Sequence, residues 1–94
     1  MMTEERKAKV ARRLRRIEGQ IRGIIGMVEQ GRYCMDVLSQ TAAAVAALHG
    51  VEDLVMKSHL ETCVAEALRS GDEDGRRRKI DEVVQAVGRV RRHG

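Results

Sequence analysis

The chain has 94 residues, 43% of them hydrophobic, with no proline, a single tyrosine as its only aromatic residue, two cysteines and a formal net charge of +4. Such a chain makes one domain, residues 1–94, with a limited core that partner subunits are expected to complete; its abundance of Ala, Leu, Val, Ile, Arg and Glu points to an all-α fold. It contains no apolar run near the ~20 residues of a membrane span and no secretion signal, so a cytoplasmic protein with no membrane contact is expected.

Charge is segregated along the chain. Residues 1–32 hold nine basic and four acidic side chains (+5), residues 33–75 two and eight (−6), and residues 76–94 seven and two (+5). Basic ends around an acidic middle suit a protein whose ends approach a polyanion, with a solvated surface as the alternative.

Thr3 followed by Glu4 and Glu5 reads as an N-cap with acids in the first helical turn. Val10, Leu14, Ile17, Ile21, Ile24 and Val28 then recur at alternating spacings of four and three, a coiled-coil-like seam, and the helix is expected to end near Gly31. Opposite the seam, Gly19, Gly23 and Gly26 lie close in angle to Arg12, Arg15, Arg16 and Arg22. Each interior glycine costs roughly 1 kcal/mol relative to alanine. A basic, glycine-lined face lets backbone approach phosphates or a neighbouring helix closely, although a merely solvated face is the simpler reading.

A second helix is expected from Tyr33 or Cys34 to about Arg69. Gly50 is its only weak breaker, and Leu38, Thr41, Val45, Leu48, Val55 and His59 keep a seven-residue rhythm. Ser70 to Gly75 (SGDEDG) reads as a polar turn, and Ile80, Val83, Val84, Val87 and Val90 as a short third helix covering the pair.

Two cysteines in a reducing compartment favour metal binding or redox chemistry over a structural disulfide. His59 and Cys63, four residues apart, project from one helical face and can chelate one ion, although such pairs are common packing. Cys34 lies 25 residues before His59, roughly 37 Å along a helix that rises ~1.5 Å per residue, so one copy cannot close a three-ligand site. An antiparallel second copy can. Pairing residue 34 with residues 59–63 puts the two-fold axis near Ala47 and Leu48, where the small apolar stretch Thr41 to Leu48 (TAAAVAAL) suits close helix contact.

Two thiolates and an imidazole form a soft set suited to three-coordinate Cu(I). Zn(II) ranks second, because its fourth ligand would have to be water or an outer residue such as Glu82. Tyr33, beside Cys34, and Glu82 or Asp81 are candidates for hydrogen bonding around the ion, with an interfacial tyrosine and an exposed acid as the ordinary alternatives. His49 and His93 fall outside the constellation.

The segments RLRRIEGQIRGI (Arg13 to Ile24), RYCMDVLSQ (Arg32 to Gln40) and HLETCVAEAL (His59 to Leu68) resemble the CsoR/RcnR family of metal-sensing repressors, in the pattern of its copper-sensing branch. The resemblance covers nearly the whole chain. It implies a three-helix protomer, antiparallel dimers assembled into a disc-like tetramer, and Cu(I) held by Cys34 of one protomer with His59 and Cys63 of another. It also implies that the metal-free form binds operator DNA upstream of copper-export genes. The matching DNA-facing residues lie in helix one, as a broad face of Arg12, Arg13, Arg15, Arg16, Gln20 and Arg22 in which phosphate contacts dominate. Nickel and cobalt sensors of the family carry histidine near the N-terminus and at the position of Cys63, and persulfide sensors lack the histidine at position 59.

Two other functions fit part of the sequence. A persulfide or redox sensor would use Cys34 as nucleophile and Cys63 as resolving thiol. A cytosolic copper-binding protein without a DNA role would leave the arginine-rich first helix unexplained. An enzyme is not expected, since no phosphate loop follows a strand and the paired acids lack an evident pocket.

Overall fold

The computed structural model describes residues 2–70 and 73–93, the side chains at 67, 68, 70 and 90–93 excepted. The described chain is three helices without strands: α1 (Glu4–Glu29), α2 (Cys34–Ser70) and α3 (Glu73–His93). This is the all-α, three-helix protomer expected from composition and periodicity.

Helix α1 starts directly after Thr3, with Glu4 and Glu5 in its first turn, where carboxylates oppose the positive end of the helix dipole. Lys7 Nζ pairs with Glu4 at 3.0 Å, one turn away. The helix ends in a Schellman turn. Gly31 adopts φ +69°, its amide donates to the Val28 carbonyl at 3.1 Å, and the Arg32 amide donates to the Met27 carbonyl at 3.0 Å. These bonds satisfy two carbonyls that the helix end would otherwise leave unpaired. The next helix opens at once, with the Tyr33 carbonyl accepting from the amides of Asp36 at 3.0 Å and Val37 at 3.2 Å. Tyr33 is thus the N-cap of α2 and Cys34 its first residue.

Helix α2 runs through Gly50 for 37 residues without interruption. One expectation needs correcting. Ser70 belongs to α2, while Glu73, Asp74 and Gly75 belong to α3, so the predicted turn over Ser70 to Gly75 is too long. Glu73 and Asp74 occupy the first turn of α3, where acids stabilise a helix start as well as they would a turn. Residues 71 and 72 and the side chain of Val90 lie outside the described residues.

The chain divides into two compact units. One, residues 4–51, packs α1 against the first part of α2. Its buried side chains are Val10, Ile17, Ala44 and Val51. Of the rest of the predicted seam, Leu14, Ile21 and Val28 are exposed and Ile24 is half-buried. Between α1 and α2 lies an apolar groove of about 440 Å³ lined by Ile21, Ile24, Val28, Ala44, Val45 and Leu48. The other unit, residues 1–3 and 52–94, sets the rest of α2 beside α3. Ser58 and Cys63 are buried there, and Ile80 and Val84 of α3 stay exposed beside Leu60 and Val64 along a second apolar cleft.

Candidate metal centre

Helical periodicity places His59 and Cys63 on successive turns of one face of α2. Cys63 Sγ and His59 Nε2 are 3.4 Å apart. That is close to the spacing of two donors sharing one ion with bonds of ~2.0–2.3 Å. Cys63 is 5% exposed, and the His59 side chain keeps 19% of its surface accessible. The pair is therefore sheltered, with the imidazole still partly accessible. Behind it, the Thr62 hydroxyl donates to the Ser58 carbonyl at 3.0 Å, which fixes the Thr62 side chain on the same turn of helix.

Helix α3 brings a carboxylate to His59. Glu82 Oε1 is 3.5 Å from His59 Nε2, so of the two acids the sequence offered, Glu82 meets the imidazole. Two groups that sequence reasoning missed surround it. Lys79 Nζ lies 3.9 Å from Glu82 Oε2 and 3.4 Å from Glu66 Oε2 of α2. The Lys79 and Glu82 spacing of three residues is a signal visible in the sequence; the approach of Glu66 from another helix is not.

Cys34 is a free, exposed thiol at the first position of α2, and Tyr33 beside it is 68% exposed. Met35, the next residue, and Leu38, one turn on, are exposed too. Among the described residues, no group of three or more Cys, His, Asp or Glu side chains is arranged to hold a metal ion within a single copy.

The arginine face of α1 is solvent-accessible at Arg12, Arg13, Arg15, Arg16, Gln20 and Arg22. Two of these side chains are partly engaged. Arg22 pairs with Glu18 at 3.1 Å, and Arg13 reaches toward α2 so that its guanidinium lies 3.6 Å from where a Cβ on Gly50 would be. On the same side of α1, a Cβ at Gly23 or Gly26 would meet no atom within 4 Å. Among the described residues no helix is long and apolar enough to cross a membrane.

The model of the metal-sensitive transcriptional repressor family matches residues 6–89. The copper-sensing transcriptional repressor CsoR of Bacillus subtilis (strain 168) is 46% identical over 70 residues, 74% of this chain and 69% of that protein. The crystal structure of the copper-sensing repressor CsoR with Cu(I) from Geobacillus thermodenitrificans NG80-2 matches with a TM-score of 0.80 and 37% identity, over 95% of this chain and 90% of that one. The nickel-responsive transcriptional regulator InrS matches with a TM-score of 0.79 and 36% identity, over 88% and 90%. The two solved structures score alike and differ in the metal their names carry, so the choice of metal rests on this chain's own donors.

Proposed function

This chain belongs to the metal-sensitive transcriptional repressor family, and from that premise we propose that it is a Cu(I)-responsive repressor whose metal-free form holds operator DNA and whose metal-bound form releases it. The observation that carries the proposal is the His59 and Cys63 pair, 3.4 Å apart on one face of α2, with the free thiol of Cys34 opening the same uninterrupted helix. Twenty-five residues at ~1.5 Å each amount to roughly 37 Å of helix. The third ligand therefore comes from a second copy, and the ion rests on Cys34 of one protomer with His59 and Cys63 of another. Two thiolates and one imidazole are soft donors that fit Cu(I), and the Bacillus and Geobacillus relatives are named as copper sensors. Bound Cu(I) supplies a soft, singly charged centre that joins two copies. Tyr33, next to Cys34, and Glu82, whose carboxylate lies 3.5 Å from the His59 imidazole, are the hydrogen-bonding groups around the ion.

The exposed apolar residues of α1 and α2 give the second copy a surface to cover, so residues 1–94 act as one repressor domain in antiparallel dimers that pair into a disc-like tetramer. Val45 and Leu48 stand near the middle of that contact, exposed in the single copy. Arg12, Arg13, Arg15, Arg16, Gln20 and Arg22 face the operator duplex, the arginines chiefly toward phosphates, while Gln20 and some of the arginines read base edges. Closing the metal site draws the start of α2 in one protomer toward the far part of α2 in the other, and the arginine faces lose the spacing that one DNA segment requires. The protein works in the cytoplasm and catalyses no reaction. Linkage requires bound operator to weaken Cu(I) binding by the same factor that bound Cu(I) weakens operator binding.

The test is a titration of Cu(I) into the protein bound to DNA from upstream of its own gene, followed by fluorescence anisotropy. Release complete at one Cu(I) per protomer supports the proposal. Equal Cu(I) affinity in free and DNA-bound protein contradicts it.

A further inference from the structure

We propose that the apolar cleft between α2 and α3 receives the Met35 side chain of a second copy, so that α3 holds the head of the partner's α2, and with it Cys34, against Cys63. This deepens the two-copy site given above and rests on it.

The cleft measures about 260 Å³ and is lined by Leu60, Cys63 and Val64 of α2 and by Ile80, Val83 and Val84 of α3. In the single copy Leu60, Val64, Ile80 and Val84 keep 36–64% of their surface exposed. Cys63 ties the cleft to the shared ion, because it belongs both to the wall of the one and to the ligands of the other. Two sulfurs bound to one ion at ~2.3 Å each stand no more than about 4.6 Å apart. Cys34 of the second copy is therefore brought to the edge of the cleft, and its neighbours in sequence arrive there with it.

The residue after Cys34 is Met35, which is 58% exposed and of a type flexible enough to fill an irregular apolar gap. The helical period says where it goes. Cys34 lies twenty-five residues from His59 and twenty-nine from Cys63, about 6.9 and 8.1 turns, so all three share one face of α2. Met35 has the same two separations from Leu60 and Val64, so those three share the adjoining flank. A two-fold axis between antiparallel helices keeps matching flanks of the two copies on the same side of the contact. The register that sets Cys34 between His59 and Cys63 thus sets Met35 between Leu60 and Val64, which belong to the α2 wall of the cleft, opposite Ile80 and Val84. Covering these side chains holds the head of α2 in place before the ion arrives, and a donor already in position loses less freedom when it binds. Met35 and Ile80 are in this sense positioning residues, neither of which touches the ion.

The experiment uses the full chain and two readouts. In the first, Cys34→Ala and Cys63→Ala remove the native thiols, and Met35→Cys is combined with Leu60→Cys or with Ile80→Cys. A short bis-maleimide should then join two chains without metal, seen by denaturing electrophoresis. Met35→Cys alone should give no such product, since the two copies of residue 35 lie roughly 37 Å apart in this register. In the second, Cu(I) affinity is measured by competition with a chromophoric chelator. Met35→Ser and Ile80→Ser should each weaken it by about tenfold, the scale of withdrawing one large apolar side chain from a buried seat. The double variant should lose little more than either single one, as residues in contact do. Both positions are exposed in the single copy, so neither change removes a side chain from the protomer's own core. Wild-type Cu(I) affinity in both single variants, losses that multiply in the double variant, or the absence of both crosslinks overturns the seat and leaves the shared ion standing. Cu(I) binding that survives Cys34→Ala unweakened overturns the shared ion, and the seat as its support, whatever the crosslinks show.

Discussion

Replacing Gly31 by alanine tests the link between the helix junction and the position of Cys34. Gly31 sits at φ +69°, and a Cβ added there would meet nothing within 4 Å. The substitution therefore introduces no collision, and its effect is confined to the backbone. An L-residue forced into the left-handed region costs roughly 1–2 kcal/mol. Loss of glycine's freedom in the unfolded chain returns about 0.4–1 kcal/mol. The expected net destabilisation is on the order of 1 kcal/mol, and for a chain of this size that lowers Tm by about 4–8 °C. Circular dichroism melts at one fixed protein concentration measure it, since assembly makes Tm depend on concentration. Gly31→Asn should recover part of the loss, because asparagine tolerates the left-handed region better than alanine. An alanine variant that melts with the wild type would show that the junction does not require a positive φ, and the account of how Cys34 is placed at the head of α2 would fail.

His59→Ala should abolish Cu(I)-driven release of DNA while leaving metal-free DNA binding within about twofold, and release that survives the substitution would contradict the site; a wild-type chain released from DNA by polysulfide but not by copper would instead favour sulfur chemistry at Cys34 and Cys63, read by mass spectrometry of the crosslinked chains. Arg15→Ala, a change in an exposed side chain of α1, should weaken operator binding across sequences and reduce the slope of log K against log salt by about 0.9 for each phosphate contact removed; an unchanged slope would take Arg15 off the DNA face. Val45→Glu places a charge on an exposed apolar position in the middle of α2 and should shift the assembly toward monomer in sedimentation velocity, whereas an unaltered oligomer would exclude that face from the contact.

The helix boundaries near Gly31 and Tyr33 are legible in the sequence because glycine in a left-handed turn leaves a local mark that does not depend on tertiary structure. The start of α3 is not, since Glu73 and Asp74 suit a polar turn and a helical first turn equally well. The seam of α1 is legible as apolar positions, but the pattern does not say what covers each one: Val10 and Ile17 are buried within the protomer while Leu14, Ile21 and Val28 are open. At the candidate site, the four-residue spacing of His59 and Cys63 forecast their shared face. The choice between Asp81 and Glu82 required α3 to be placed beside α2, and so did the meeting of Lys79 with Glu66, because contacts between helices depend on packing angles that no single-helix period encodes.

The most direct trial of the shared metal site is complementation between two defective copies. Cys34→Ala protein and His59→Ala/Cys63→Ala protein, unfolded together in equal amounts and refolded, should form mixed dimers in half of all cases. Each mixed dimer carries one intact site of two, so the mixture should bind about a quarter of the wild-type amount of Cu(I) although neither parent binds tightly. Recovery near that fraction is the expected result. No recovery at all, from a mixture shown to contain mixed dimers, would mean that the three ligands do not come from two chains.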